Sequence, residues 1–249
     1  MTETIIDIET PDGIMGVLAK RPDDVNVYPP VVLFHDGLGI REAIHENARH
    51  LAASGFCVLA PDRYYRKGRF YHVEALQLKK AGRDSELMQE FYSIATSVTD
   101  TQTTMDWNAI LQTISSDPLT SGHVRCMGYC NGARAVIIGM LQFPDVVKAG
   151  VALHPSFIVS HTDGSLPFDI SAIKGSVYFA FGAADHLSSI AHNRHLINGL
   201  SQLGHRATIE YLQEAGHGFA VPGPDFDNAA YMHSFRKATD LFKTTAANL

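Results

Sequence analysis

A tight turn between two apolar segments constrains the fold of this 249-residue chain more than any other feature. The stretch 123–138 predicts a short buried strand, the turn Gly-Tyr-Cys-Asn-Gly over 128–132, and then a helix. Glycine has no Cβ, so Gly128 and Gly132 suit the crowded flanks of a turn whose central side chain points outward. We therefore predict that Cys130 stands at the tip of a sharp strand-to-helix turn.

The position of Cys130 has two interpretations. At a helix N-terminus the partial positive charge of the helix favours a thiolate, which is the reactive form of cysteine. Free cysteines, however, are commonly buried and inert, and the pattern G-x-C-x-G also arises by chance. A catalytic role for Cys130 therefore depends on partners elsewhere in the chain.

The rest of the chain alternates apolar strand-like runs with helical patterns. Such alternation predicts the α/β class, with a mostly parallel sheet wound on both faces. The turn signal Thr-Pro-Asp-Gly at 10–13 predicts an antiparallel edge hairpin at the N-terminus. We interpret residues 1–249 as one domain. The predicted strands are 4–8, 14–19, 31–35, 56–60, 123–128, 147–153, 176–181 and 207–212. The predicted helices lie near 44–54, 86–114, 188–203 and 227–246, a further helix follows the turn through the apolar residues 135–138, and a long aromatic and basic loop covers 61–84.

Composition limits the classes of partner. Apolar residues make up 45% of the chain and charged residues 18%, as in ordinary globular proteins. A net charge of −6 argues against nucleic acid or an anionic membrane surface as the main partner, because both require clustered Lys and Arg. There is no apolar run of about 20 residues and no signal-like N-terminus, and three cysteines cannot all pair. We expect a cytoplasmic protein, a monomer or small homo-oligomer.

Three polar residues follow predicted strands at their carboxyl ends, where the functional groups of an open parallel sheet gather. Asp36 follows the strand 31–35, Asp185 follows 176–181, and His217 follows 207–212. The chain order of nucleophile, acid and histidine is that of α/β hydrolases. Each residue also has a plainer interpretation, because Asp185 is in a position to cap a helix and His217 is one of thirteen histidines.

Four motifs together make the sequence resemble the dienelactone hydrolase family of α/β hydrolases over nearly its whole length. They are residues 128–132, Ala-Pro-Asp-Arg-Tyr at 60–64, Phe-Gly-Ala-Ala-Asp at 181–185, and Ala-Gly-His-Gly-Phe at 215–219. The resemblance implies the α/β-hydrolase fold and a triad of Cys130, Asp185 and His217. It also implies cleavage of a small ester or lactone through a thioacyl intermediate, with neither cofactor nor metal.

The oxyanion formed in that reaction needs two backbone N–H donors. We expect one from Asn131, the residue after the nucleophile, and one from Gly37 or Leu38. In the family that the sequence resembles, an acidic residue before this loop interacts with the resting thiol and helps to deprotonate it. Asp36 stands at the matching position and is one methylene shorter than the usual glutamate. Its alternative role is to hydrogen-bond its own loop.

The sequence departs from the family's carboxylate-binding members at a position that contacts the substrate, which weakens the case for the usual dienelactone substrate. Those members hold the carboxylate with arginines, one of them four residues after the catalytic histidine, where this chain has Val221. Arg66, Arg83 or Arg134 is a candidate to supply the positive charge, unless these are solvated surface residues. Aromatic residues are candidates for an apolar pocket or are simple core: Tyr64, Tyr65, Phe157 and Phe219.

Several other interpretations stay open. Val221 makes a general carboxylesterase or thioesterase without lactone preference plausible. Cys130 as a redox-sensing thiol, or a ligand-binding module without catalysis, would each leave Asp185 and His217 unexplained. His192 and His195 lack the companions that a zinc site requires. Cys57 and Cys126 are interpreted as buried strand residues.

Overall fold

The computed structural model describes residues 1–82, 84–160 and 165–247. The chain divides into two compact units, Met1–Gly122 and His123–Leu249. Each unit alternates strands with helices and contains parallel strand pairs, so the predicted α/β class is confirmed. The interpretation as a single domain stays a prediction.

The described residues of the first unit, 1–82 and 84–122, form four strands, in the order β1-β2-β4-β3, and four helices. Their bounds are β1 Thr2–Thr10, β2 Gly13–Arg21, β3 Pro30–Phe34, α1 Glu42–Ala53, β4 Cys57–Pro61, α2 Ala75–Ala81, α3 Glu86–Ala95 and α4 Asp100–Ser116. The hairpin β1-β2 is antiparallel, as predicted, and pairs Thr10 with Gly13 across its turn. Strands β3 and β4 are parallel and fully buried, as expected for apolar runs covered on both faces.

Helix α1 follows from its sequence pattern. Ile44, Ala48 and Leu51 recur at helical spacing and are all fully buried, so they form the face that packs on the sheet. Gly55 has a φ of 93°, a left-handed conformation that suits glycine and ends the helix before β4. The prediction of this helix is confirmed.

One loop prediction and one helix prediction in the first unit need correction. Part of the predicted loop 61–84 forms α2, because Ala, Leu, Gln and Lys over 75–81 are good helix formers. The predicted long helix 86–114 is two helices, α3 and α4. The break between them is stabilised by a capping box in which Thr99 and Gln102 satisfy each other's backbone N–H groups.

The second unit, over its described residues 123–160 and 165–247, forms four parallel strands in the order β5-β6-β7-β8. Its elements are β5 Val124–Tyr129, α5 Gly132–Gln142, β6 Val147–Leu153, β7 Ser176–Gly182, α6 Arg194–Ser201, β8 Ala207–Leu212 and α7 Asn228–Ala247. Helix α5 covers one face, where Val136 and Met140 lie against Gly150. Arg125, which pairs with Ala149, points to the other face and donates to a carbonyl of α7. Both faces are thus covered, as predicted.

Helix α6 is shorter than the predicted 188–203. Asn193 donates to the carbonyls of Ser188 and Ser189, and polar side chains that bond the nearby backbone compete with helix formation. The segment before Arg194 consequently forms turns rather than helix. Of the helices within the described ranges, none has both the length and the apolar character needed to cross a membrane.

Candidate active site

The turn after β5 has the strained geometry that its sequence predicts. Cys130 adopts a φ of 52°, which is uncommon for a residue other than glycine. A Cβ on Gly128 would lie 2.5 Å from the backbone of Gly132, so only glycine lets strand and helix approach this closely. The Cys130 N–H donates to the Leu153 carbonyl at 3.1 Å. The turn is therefore anchored to the end of β6.

Two further loops of the second unit are joined beside their strands. The Ala184 N–H donates to the Ala215 carbonyl at 3.0 Å, which ties the loop after β7 to the loop after β8. A Cβ on Gly182 would lie 2.4 Å from the same carbonyl oxygen. Absence of that Cβ lets the loops carrying Asp185 and His217 come into contact.

Cys130, His217 and Asp185 form a continuous chain of hydrogen-bonding groups. His217 Nε2 lies 3.2 Å from Cys130 Sγ, and His217 Nδ1 lies 2.8 Å from Asp185 Oδ2. The other carboxylate oxygen, Asp185 Oδ1, accepts the backbone N–H groups of Leu187 and Ser188 at 2.9 and 2.8 Å. Asp185 is thereby held so that its second oxygen faces the imidazole.

The electrostatics of this group favour a thiolate and an imidazolium. Burial raises the pKa of Cys130, but the charge of His217 and hydrogen bonds from His154 and His217 outweigh burial and lower that pKa. Burial lowers the pKa of His217, whereas the Cys130 thiolate and Asp185 raise it, and the net shift is upward. Burial also opposes ionisation of Asp185, but its bonds to His217 keep its pKa low. The three groups stabilise one another in their charged forms.

The loop after β6 adds two residues that the sequence analysis did not single out. Ser156 Oγ lies 3.0 Å from Cys130 Sγ, and the Ser156 N–H donates to the Cys130 carbonyl at 3.1 Å. His154 has a φ of 40° and packs edge-on against the rings of His217 and Phe219. The available signal was the polar sequence His-Pro-Ser at 154–156, directly after a buried strand.

The sequence model of the dienelactone hydrolase family matches residues 15–246 of this chain. The chain belongs to the dienelactone hydrolase family. A curated relative, "Putative carboxymethylenebutenolidase" of Methylorubrum extorquens, is 24% identical over 243 residues, which cover 96% of this chain and 79% of the relative.

Solved structures share the fold. The "Putative Dienelactone Hydrolase" of Klebsiella pneumoniae has a TM-score of 0.79 at 20% identity, covering 97% of this chain and 98% of that one. A dienelactone hydrolase-like promiscuous phosphotriesterase from metagenomic libraries has a TM-score of 0.74 at 21% identity, covering 98% and 99%. The predicted family and the predicted α/β-hydrolase fold are confirmed.

Three other predicted site residues lie in the second unit. Asn131 is buried at the N-terminus of α5. Arg134 donates to the carbonyls of Phe157 and Ile158, and its guanidinium lies 4.8 Å from the centre of the Phe168 ring. In this arrangement Arg134 anchors the loop after β6. Val221 is also buried, in the loop that follows His217.

In the first unit, Asp36 forms a buried ion pair. Arg41 donates to both carboxylate oxygens, at 2.7 and 2.8 Å, and the Leu38 N–H donates to Asp36 at 3.0 Å. Burial raises the pKa of Asp36, but the charge and hydrogen bonds of Arg41 outweigh it, and the pKa is lowered. Beside Leu38, Gly37 lies under the Phe91 ring, which a Cβ would approach to 2.9 Å. The Asp36 carboxylate is thus bound by groups of its own loop and by Arg41.

The remaining predicted residues are held by protein groups or lie outside the described residues. Tyr64 is fully buried and donates to the Gly37 carbonyl at 3.1 Å. Arg66 forms ion pairs with Asp12 and Asp106, both at 2.7 Å. Arg83 lies outside the described residues. Across the described ranges, no cluster of three His, Cys, Asp or Glu side chains has the geometry to hold a metal ion.

Proposed function

We propose that this protein is a cysteine-dependent hydrolase that cleaves a small ester or lactone through a thioacyl-enzyme intermediate. The observation that carries the proposal is the line of contacts from Cys130 Sγ through His217 to Asp185 Oδ2, at 3.2 and 2.8 Å. A nucleophile in contact with a base, and a base oriented by a buried acid, is the arrangement that nucleophilic catalysis requires. Membership of the dienelactone hydrolase family supports the same chemistry.

In the first half of the reaction, the Cys130 thiolate attacks the carbonyl carbon. The S–C bond forms, and the carbonyl oxygen becomes an oxyanion. His217, which carries the thiol proton on Nε2, donates it to the leaving alkoxide as the C–O bond breaks. Asp185 accepts the Nδ1–H of His217 and stabilises the imidazolium.

In the second half, water attacks the thioester while neutral His217 accepts its proton. The S–C bond breaks, the acid leaves, and the sulfur returns to a thiolate beside the imidazolium. The buried setting of Cys130, whose surface is 7% exposed, favours a small acyl group. The proposed partner is therefore a small-molecule ester or lactone.

A general carboxylesterase or thioesterase without lactone preference is the second candidate. Val221 replaces the arginine of carboxylate-binding family members, and the guanidinium groups of Arg66 and Arg134 are both held by protein groups. Both guanidinium groups already bind protein groups, so neither arginine is a candidate to bind the carboxylate of a substrate. These contacts favour substrates without a carboxylate.

The oxyanion donors and the role of Asp36 stay predictions. The predicted donors are the backbone N–H of Asn131 and that of Gly37 or Leu38. Within the first unit, the Leu38 N–H donates to Asp36. The ion pair of Asp36 with Arg41 supports a loop-organising role. For Asp36 to help deprotonate the thiol, as the family resemblance implies, its carboxylate would have to give up at least one of its hydrogen bonds to Arg41.

Steady-state hydrolysis of p-nitrophenyl esters and unsaturated lactones tests the proposal. We expect turnover by the wild type and its loss in Cys130→Ala, whereas the matched control Cys57→Ala, which removes a buried thiol of the first unit, stays active. A wild type that hydrolyses nothing, or an alanine variant at 130 that keeps full activity, contradicts the proposal. Formation of a sulfenic acid at Cys130 without any turnover would instead support the redox-sensing alternative.

A further inference from the structure

Besides the imidazoles of His217 and His154, the sulfur of Cys130 has a hydroxyl neighbour. Ser156 Oγ lies 3.0 Å from Sγ, slightly closer than His217 Nε2 at 3.2 Å. Ser156 is 3% exposed, so its hydroxyl is shielded from water. A short contact between a buried hydroxyl and a nucleophilic sulfur is a feature that the triad alone does not require.

The direction of this hydrogen bond follows from where the protons are. A thiolate has no proton, and a neutral thiol directs its single proton to His217 Nε2. In both states the sulfur is the acceptor towards Ser156, and the Ser156 O–H is the donor. A hydrogen bond from a neutral donor to an ionised acceptor is roughly twice as strong as one between neutral groups.

The position of Ser156 is set by the backbone around it. The Ser156 N–H donates to the Cys130 carbonyl, and the His154 N–H donates to the Ala180 carbonyl at 2.9 Å. The preceding carbonyl, of Pro155, accepts a hydrogen bond from Ser188 Oγ at 2.8 Å. The hydroxyl is therefore held in place before any substrate binds, as electrostatic catalysis requires.

The charge on the sulfur changes during the proposed reaction. It is negative before attack, neutral in the thioester, and negative again when the acid leaves. A donor to the sulfur stabilises the two charged states and not the thioester. It therefore opposes attack on the substrate and favours departure of the sulfur from the acyl group.

We propose that Ser156 is a catalytic residue that stabilises the Cys130 sulfur as the leaving group of thioester hydrolysis. As water attacks the thioester and His217 takes its proton, the S–C electron pair moves to Sγ, where the Ser156 O–H donates to it. No proton leaves Ser156 in this step. The inference rests on the proposed function, because it concerns the second half of that reaction.

Rapid mixing with p-nitrophenyl acetate separates the two halves, since the burst reports acylation and the steady state reports deacylation. For Ser156→Ala we expect deacylation to slow about tenfold, the size of one charge-assisted hydrogen bond. Acylation is expected to be unchanged or faster, so that the acyl-enzyme accumulates. Ser234→Ala is the matched control, because Ser234 is a fully buried serine on α7.

A second readout does not depend on turnover. The rate of Cys130 alkylation by iodoacetamide follows the thiolate fraction, and its pH dependence gives the pKa of the thiol. Loss of the donor should raise that pKa in Ser156→Ala. If the alanine variant does not fold, Ser156→Thr and Ser156→Val provide the same comparison, because they have similar shape and only threonine keeps the hydroxyl.

The outcomes distinguish this inference from the function on which it rests. Equal slowing of both halves, or an unchanged deacylation rate and thiol pKa, would overturn the role of Ser156 while leaving a Cys130-dependent hydrolase intact. A wild-type protein that shows neither a burst nor steady-state turnover would instead overturn the proposed function. The pKa of the thiol in Ser156→Ala still reports the hydrogen bond in that case.

Discussion

Replacing Asp185 with asparagine should move the imidazole proton of His217 from Nδ1 to Nε2 while preserving the loop after β7. Asp185 Oδ1 accepts both backbone N–H groups, of Leu187 and Ser188, and an asparagine oxygen can keep these two bonds. The amide NH₂ then takes the place of Oδ2, 2.8 Å from His217 Nδ1. A donor at this position forces Nδ1 to accept, which puts the imidazole proton on Nε2, facing the sulfur. In that tautomer His217 cannot take the proton of the thiol.

The size of the effect follows from the bond that is lost. Asp185 is 3% exposed, so its hydrogen bond to the imidazolium is little weakened by solvent. A hydrogen bond to a charged group contributes about 1.5–3 kcal/mol, so its loss alone should lower kcat/KM roughly 10- to 150-fold. The wrong tautomer adds to this loss, which reaches about 10⁴-fold for the same change in a serine triad. We also expect the pKa of His217 to fall and that of Cys130 to rise, because the charges of the three groups support one another.

Two assays check the Asp185→Asn prediction. Ester hydrolysis gives kcat/KM, and urea unfolding at pH 7.5 and pH 4 gives the stability. The pKa of Asp185 is lowered in the folded protein, so its stabilising contribution is present above its unfolded pKa and is lost as the pH falls. The variant should therefore differ from the wild type more at pH 7.5 than at pH 4. Unchanged kcat/KM in a folded variant would refute the assignment of Asp185 as the acid that orients His217.

Two other predictions concern stability. Gly128→Ala places a Cβ 2.5 Å from the Gly132 backbone and should lower the free energy of unfolding, measured by urea titration, by at least about 1–3 kcal/mol. The control Gly68→Ala, whose new Cβ has no atom within 4 Å, should be near neutral. Equal losses in the two variants would refute the steric argument. Arg41→Met leaves Asp36 buried without its cation and should cost about 3–5 kcal/mol at neutral pH. In this variant burial raises the pKa of Asp36 in the folded state, so the loss of unfolding free energy should shrink as the pH falls. Thermal and urea unfolding measure this loss, and a loss that is independent of pH would contradict the prediction.

The strands and the turn were predictable from the sequence because short-range patterns determine them. Continuous apolar runs identified β3 and β6, and the two glycines around Cys130 identified the turn. The extent of the helices was less predictable. The break at Thr99 and the late start of α6 at Arg194 depend on side-chain hydrogen bonds to the backbone, which hydrophobic periodicity does not report.

Within the candidate site, the residues that carry recognisable chemistry could be found from the sequence, and those that depend on conformation could not. Cys130, Asp185 and His217 follow strand ends in an order that suggested their contact. Ser156 reaches the sulfur from a loop in which His154 and Phe157 adopt positive φ values, and hydrophobic periodicity does not report the path of such a loop. The pairing of Arg66 with Asp106 likewise joins positions 40 residues apart.

The three cysteines of the chain have very different acidities. Burial raises the pKa of Cys57 to about 11 and raises that of Cys126 further, whereas the surroundings of Cys130 lower its pKa. At neutral pH a small thiol-directed label should therefore attach at one position per chain without any engineered cysteine. Label confined to Cys130 would identify correctly assembled molecules, because an unfolded chain would expose all three thiols to the reagent.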